Sequence, residues 1–110
     1  MDEQKGYVKL YRSTLRWEWF TEINTAHVWL YILMRANYEP TRFKGIKVGR
    51  GQMLESLSKI AKNTGLTVRN VRTAISHLKT TGEITYKATR YGMLINVVKY
   101  SVYQQSPADN

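Results

Sequence analysis

The side chains with the clearest capacity for molecular recognition lie in one stretch, residues 68–80. At 100° per residue, Val68, Val71, Ile75 and Leu78 fall on one side of a helix. The other side carries hydrogen-bond donors and hydroxyls without a carboxylate: Arg69, Asn70, Arg72, Thr73, Ser76 and His77. An α-helix fits the major groove of DNA, where arginine can bond guanine bidentately and asparagine can bond adenine. The spacing therefore predicts a helix whose polar face contacts the bases of duplex DNA.

The flanking segments supply further candidate DNA contacts, most of them cations: Lys59, Lys62, Thr67, Lys79, Lys87, Arg90, Tyr91 and Lys99. We expect the basic side chains to contact phosphates and Tyr91 to contact the backbone or the minor groove. If about five cations do so, log K falls with log salt concentration with a slope of roughly −4 to −5. An exposed aromatic ring also stacks on unpaired bases, so single-stranded DNA stays open as a second ligand.

The residue types and their spacing do not favour a catalytic or metal-binding site. The chain has no cysteine, and its two histidines, His27 and His77, lie far apart in sequence. No carboxylates pair at acid–base or metal-ligand spacing, which makes a small nuclease a weak alternative. Gly45, Gly49 and Gly51 do not match the spacing of a phosphate-binding loop. We therefore expect a binding protein with no catalytic residue, no metal and no cofactor, in which His27 packs or caps.

Positive charge is concentrated in one part of the chain. The 110 residues carry 17 Lys+Arg and 8 Asp+Glu, a formal net charge of +9. Residues 1–41 are neutral, whereas residues 42–99 hold twelve basic residues and only two acidic ones, Glu55 and Glu83. A basic segment of this strength favours a polyanionic partner, and nucleic acid is the most common one.

The neutral first third is instead rich in aromatic residues: Tyr7, Tyr11, Trp17, Trp19, Phe20, Trp29 and Tyr31. We expect this region to serve packing and self-association, giving a homodimer or a higher homo-oligomer. The longest mostly apolar run, residues 26–34, is far shorter than the roughly 20 residues that cross a bilayer. The composition thus predicts a cytoplasmic protein without a membrane partner.

The first predicted helix is a buried one. Thr25 is a favourable N-cap for the run 26–37, in which apolar residues recur at helical spacing on nearly all sides. The pair Glu39-Pro40 should end this helix, because a residue before proline disfavours the α region. A basic loop or short strand is expected to follow over 43–52.

Two more helices and a hairpin complete the predicted order. An amphipathic helix over 53–62, with Ser56 or Glu55 near its cap, ends in a turn at Gly65. Thr67 caps the helix over 68–80, and Gly82 stands at its stop. Apolar residues then alternate at period two on both sides of a turn at 90–92: Ile84, Tyr86, Ala88, Ile95 and Val97.

Helix, turn, helix and hairpin in this order predict an α+β fold of the winged helix-turn-helix type, with a three-helix core and a C-terminal β-hairpin wing. The length of 110 residues fits one domain, which we place at residues 1–105. Residues 106–110 are expected to form a disordered tail or the start of a linker.

Several segments resemble the N-terminal winged-helix domain of phage and Gram-positive replication initiators of the DnaD-like type. The matching segments are GYVKLYRS at 6–13, GQMLESLSKIA at 51–61, TGLT at 64–67, VRTAI at 71–75, LKTTGEI at 78–84, INVVKY at 95–100 and YQ at 103–104. The helix-turn-helix segments are shared by many winged-helix families, whereas the pattern GQ…S…A within 51–61 and the pattern INVVKY…YQ within 95–104 are more particular.

The resemblance implies a module that self-associates and helps to assemble a primosome on origin duplex DNA. It implies contact with a helicase loader only if a longer chain carries the second helical domain of such initiators. Two other functions stay open at this point. One is a transcriptional repressor with the same DNA-binding surface, and the other is a winged helix that serves oligomerisation or protein interaction with little DNA binding.

Overall fold

The chain folds into four α-helices, a short 3-10 helix and two antiparallel sheets within residues 6–104, the part that the computed structural model describes. The fold is therefore α+β. The predicted tail over 106–110 lies outside the described residues. In chain order the elements are the 3-10 helix Arg12–Arg16, α1 Ile23–Arg35, β1 Thr41–Phe43, β2 Ile46–Val48, β3 Gln52–Glu55, α2 Leu57–Thr64, α3 Val68–Thr80, β4 Ile84–Thr89, β5 Gly92–Val97 and α4 Tyr100–Tyr103.

The strands form a separate two-stranded hairpin and a three-stranded sheet. β1 pairs with β2, with Thr41 opposite Val48. The larger sheet has the order β3-β5-β4, so β5 is its central strand. Ile95 on β5 lies opposite Met53 on one side and opposite Tyr86 on the other. The sheet thus joins chain segments that lie before and after the α2–α3 pair.

The core lies between the helices and one face of the three-stranded sheet. α3 packs chiefly on α1, and its apolar stripe is the one expected from the sequence. Complete burial of an aliphatic side chain contributes about 1.5–3 kcal/mol relative to exposure. The largest fully buried side chains come from all of these elements: Val28, Ile32, Leu33, Ile60, Val71, Leu78, Ile84 and Ile95.

The start of α1 differs from the prediction. The helix begins at Ile23, and its N-cap is Glu22, which makes no side-chain capping bond. Thr25 is therefore not the cap. Its side chain is only 2% exposed, and its hydroxyl lies 2.8 Å from Nδ1 of His77 on α3. The Thr25 hydroxyl, which the local pattern assigned to capping of α1, therefore makes a tertiary contact with His77 instead.

The second predicted helix was too long at its N-terminal end. Residues 52–55 form β3, in which Met53 and Glu55 point inward while their neighbours are half-buried. Residues 52–55 form a strand and not a helix because they pair with β5, which places Met53 in the core against Ile95. The helix starts only after Ser56, whose hydroxyl accepts a hydrogen bond from the backbone N–H of Lys59. Ser56, one of the two predicted cap residues, is thus confirmed as the N-cap.

The predicted bounds of α3 are confirmed, and a β-hairpin follows as expected, except that Gly92, predicted in its turn, is the first residue of β5. α3 spans Val68–Thr80, and the Thr67 hydroxyl accepts from the backbone N–H of Asn70 at 3.0 Å. Gly65 ends α2 with φ at +76°, as the turn requires. The loop or strand expected over 43–52 consists of the end of β1, the turn to β2, β2 itself and the loop that leads into β3.

Candidate nucleic-acid interface

The polar side of α3 faces solvent. Arg69, Arg72, Thr73 and Ser76 are all exposed along it. The Thr73 hydroxyl donates to the carbonyl of Arg69, 3.2 Å away, so its oxygen lone pairs point away from the helix backbone and can accept from a ligand. Asn70 is half-buried at the edge of this side. The exposed surface of α3 therefore presents cations and hydrogen-bond acceptors on one side of the helix.

His77 does not belong to this group of side chains. Its imidazole is half-buried, stacks on the indole of Trp19 with centroids 4.2 Å apart, and has Nδ1 2.8 Å from the Thr25 hydroxyl. These contacts turn the ring toward α1 and the N-terminal segment. The sequence pattern placed His77 with the arginines because its helical angle lies opposite the apolar stripe of α3. The structure separates it from them.

Further exposed basic side chains lie on α2 and at the end of α3. Lys59 and Lys62 are exposed on α2, and Lys62 lies in its last turn, where a cation interacts favourably with the helix dipole. Lys79 is exposed near the end of α3, and its Nζ lies 5.2 Å from the ring centroid of Tyr86 on β4. Lys79 therefore links α3 to the β4–β5 hairpin.

The tip of the β4–β5 hairpin is cationic and aromatic. Lys87 and Arg90 are exposed, and the Arg90 guanidinium carbon lies 5.6 Å from the centroid of the Tyr91 ring. The Thr89 hydroxyl accepts from the backbone N–H of Tyr91 and donates to the Gly92 carbonyl, which fixes the turn. Lys99 is exposed beyond the opposite end of β5, about 20 Å away at 3.3 Å per strand residue. The structure therefore does not bring Lys99 together with Arg90.

Gly92 presses the hairpin tip against the junction of β3 and α2. A Cβ added at Gly92 would lie 2.7 Å from the backbone carbon of Glu55, and its φ is +133°. Only glycine allows this approach and this backbone conformation together. The tip is consequently held beside the start of α2, where Ser56 and Lys59 lie.

A second hairpin that the sequence reasoning did not assign to the site meets this tip. The rings of Phe43 and Tyr91 pack edge to face with centroids 5.6 Å apart. Lys44 Nζ lies 5.4 Å from the Phe43 centroid and 5.3 Å from the Tyr91 centroid. The signal in the sequence was the pattern of β-branched and aromatic residues on either side of Lys44-Gly45.

The two acidic residues of the basic segment, Glu55 and Glu83, both form hydrogen bonds with other side chains of the molecule. Glu55, with a side chain 3% exposed, pairs with Arg35 at 2.7 Å and accepts from the Tyr31 hydroxyl. The hydrogen bond between Arg35 and Glu55 raises the pKa of Arg35, while burial raises the pKa of Tyr31. Glu83 accepts from the Thr81 hydroxyl and from Nε1 of Trp17, 3.4 Å away. Neither carboxylate lies on the exposed side of α3.

His27, for which we expected a packing or capping role, caps the end of a helix. Its Nε2 lies 2.9 Å from the carbonyl oxygen of Thr64, the last residue of α2. Across residues 6–104, no three His, Cys, Asp or Glu side chains come close enough to hold a metal ion. In the same range, no helix combines the length and the apolar character that crossing a bilayer would need.

Comparison with known proteins gives no assignment. No family model, curated protein or solved structure matches this chain. Function can therefore be inferred only from the charge, geometry and residue types of the exposed side chains on α3, on α2 and at the two hairpin tips.

Proposed function

We propose that this chain is a winged helix-turn-helix domain that binds duplex DNA. In this proposal α2 and α3 form the helix-turn-helix, and the β4–β5 hairpin is the wing. α3 lies in the major groove, where Arg69, Asn70 and Arg72 contact base edges while the hydroxyls of Thr73 and Ser76 accept or donate beside them. The sheet order β3-β5-β4 and the position of the hairpin directly after α3 support this arrangement.

One observation carries the proposal. The exposed side of α3 carries arginines and hydroxyls and no carboxylate, while Glu55 and Glu83, the acidic residues of the basic segment, form internal contacts. A surface of this kind attracts phosphates along its whole length, and one exposed carboxylate on it would oppose them. Lys59, Lys62, Lys79, Lys87 and Arg90 are the proposed phosphate contacts, and the Thr67 cap presents the first turn of α3 to the backbone.

Fluorescence anisotropy on labelled duplexes tests the proposal. A duplex enriched from a random-sequence pool and an unselected random duplex are titrated at increasing salt concentrations. We expect the enriched duplex to bind more tightly and log K to fall with log salt with a slope of roughly −4 to −5, since about five phosphates are neutralised. A salt-independent affinity, or failure to enrich any sequence, would remove the proposal.

The resemblance to DnaD-like initiators supports replication initiation as the biological role. In that role the bound duplex lies in a replication origin, and a helicase loader is a partner only of a longer chain. A transcriptional repressor would use the same surface. Mapping the enriched sequence separates these roles, because an initiator has repeated sites in an origin and a repressor has sites at a promoter.

Self-association is a second candidate function, and a separate surface favours it. Tyr7, Leu10, Leu30 and Met34 are exposed and line an open cavity of about 900 Å³ on the side of α1. An exposed apolar surface of this kind is typical of an interface. Sedimentation velocity tests this role: we expect a dimer or larger oligomer that Met34→Glu converts to monomer. A monomeric wild-type protein at high micromolar concentration would exclude it.

A further inference from the structure

We infer that the tips of the two hairpins together form a binding site for an unpaired base of single-stranded DNA. The site consists of Phe43 and Lys44 from the β1–β2 turn and Arg90 and Tyr91 from the β4–β5 turn. The inference rests on the proposed function and deepens it, because Arg90 belongs to both sets of proposed contacts. It assigns a site to single-stranded DNA and adds two residues, Phe43 and Lys44, that the duplex contacts do not require.

The two aromatic rings are the first part of the argument. Phe43 is 46% exposed and Tyr91 is 36% exposed, although each ring already contacts the other and Lys44. Large rings at the ends of two separate turns gain little from core packing. Each base has a π-face, so an exposed aromatic pair can stack on any unpaired base regardless of sequence.

The surrounding charges are the second part. Lys44 lies over both rings, and Arg90 lies 5.6 Å from the Tyr91 centroid. Arg42 and Lys47, opposite each other on β1 and β2, are exposed close behind. Aromatic rings that alternate with cations are complementary to single-stranded DNA, because each nucleotide carries a base and a phosphate. An acidic peptide would use the cations but would leave the rings without a role.

An open cleft beside the rings is the third part. It has a volume of about 350 Å³, and its lining includes Phe43, Tyr91, Thr41, Ser56 and Lys59. Its size falls at the lower end of the range for small-molecule pockets, about 300–1,000 Å³. A base that stacks on the Phe43–Tyr91 pair has space here, and Lys59 on the lining offers a cation to the adjoining phosphate.

The site is held by two constrained turns. Lys44 and Gly45 both have positive φ, +47° and +84°, which is the pattern of a tight two-residue hairpin turn. At the other tip, Gly92 allows the close approach to the backbone of Glu55. Because both tips are fixed, the rings meet in one arrangement and less conformational entropy is lost when a base binds.

The test uses the whole chain and a fluorescein-labelled thymidine oligonucleotide of about 12 residues, within the usual site sizes for single strands. The variant Phe43→Leu/Tyr91→Leu retains the apolar volume and every charge. We expect it to bind the oligonucleotide about fivefold or more weakly, since stacking on an aromatic ring contributes at least this much per base. The slope of log K against log salt should stay the same, because no cation is lost.

Controls separate stacking from charge and from folding. Phe20→Leu removes a ring of similar exposure, 44%, far from the basic surface in sequence, and should leave the affinity unchanged. Lys44→Ala should reduce the salt slope by about 0.7, the value for one contact with a single strand. Thermal unfolding of each variant verifies that the fold is retained.

Three outcomes would overturn the inference: the double variant binds the oligonucleotide within about twofold of wild type, polyglutamate competes as well as unlabelled oligonucleotide, or the wild type binds duplex alone. In the last case the proposed function still holds. Conversely, aromatic-dependent binding of single strands without enrichment of any duplex would remove the proposed function and support this inference.

Discussion

The indole of Trp19 stacks on the imidazole of His77, with centroids 4.2 Å apart and ring planes 5° from parallel. Nε1 of Trp19 also donates to the Thr81 hydroxyl at 2.8 Å, just beyond the end of α3. The N-terminal segment is thereby attached to the C-terminal half of α3. We interpret this contact as the support that holds α3 in position relative to α1.

Loss of this contact should lower stability without changing the proposed DNA-binding surface. Trp19→Leu removes the ring stack and one hydrogen bond, which together contribute about 1–3 kcal/mol. We expect a decrease of that size in the free energy of unfolding measured in urea. Phe20→Leu, at an exposed neighbouring ring, should change it by less than about 0.5 kcal/mol. Equal stability of the Trp19 variant and wild type would contradict the interpretation.

Sequence discrimination should depend on the arginines of α3. Arg69→Ala/Arg72→Ala removes two candidate base contacts, each contributing about 1–3 kcal/mol of discrimination. Affinity for the enriched duplex should therefore fall to that of a random duplex in an anisotropy titration. Arg12→Ala/Arg16→Ala removes the same charge from the exposed 3-10 helix and should preserve the ratio of the two affinities. If the α3 variant weakens both duplexes by the same factor, α3 does not read the bases.

The β4–β5 tip should contribute affinity without sequence preference. Arg90→Ala removes one proposed phosphate contact, so we expect weaker binding to every duplex and a salt slope smaller by about 0.9. Lys99→Ala removes one cation beyond the far end of the same strand and provides the matched control. A change in slope for Lys99→Ala equal to that for Arg90→Ala would mean that general charge, and not the tip, sets the affinity.

Stability should fall in alkaline solution. Burial raises the pKa of Tyr100 and of Tyr103 above the ordinary value of 10.0. Between the unfolded and the folded pKa the unfolded chain binds fewer protons than the folded one, so the free energy of unfolding decreases as pH rises. Urea unfolding at about pH 8 and about pH 11 measures this decrease. It should be smaller in Tyr100→Phe/Tyr103→Phe, and a decrease as large as in wild type would refute the assignment.

Local signals predicted α3 and the β4–β5 hairpin well. Thr67 is followed by a regular apolar stripe that ends before Gly82, so both the cap and the period of the helix lie within the segment itself. The hairpin combines period-two alternation with a short turn. Elements of this kind can be predicted because the residues that determine them are neighbours in sequence.

Residues with non-local partners were the ones predicted wrongly or missed. The local pattern around Met53 indicates the start of a helix, but Met53 pairs with Ile95 on β5, which lies 42 residues later in the chain. The local pattern indicates Thr25 as the N-cap of α1, but its hydroxyl contacts Nδ1 of His77 on α3 instead. The local pattern around Lys44-Gly45 indicates a hairpin, but the contact of Phe43 with Tyr91 at the tip of the other hairpin is not visible in it.

The sequence by itself determined the concentration of positive charge in residues 42–99, the α+β class, the bounds of α3 and its carboxylate-free side. These properties follow from composition and short-range periodicity. Tertiary structure alone decided that His77 turns away from the arginines, that Glu55 is neutralised by Arg35, and that Phe43 meets Tyr91. Each of these depends on pairing and packing between distant segments, which local spacing does not encode.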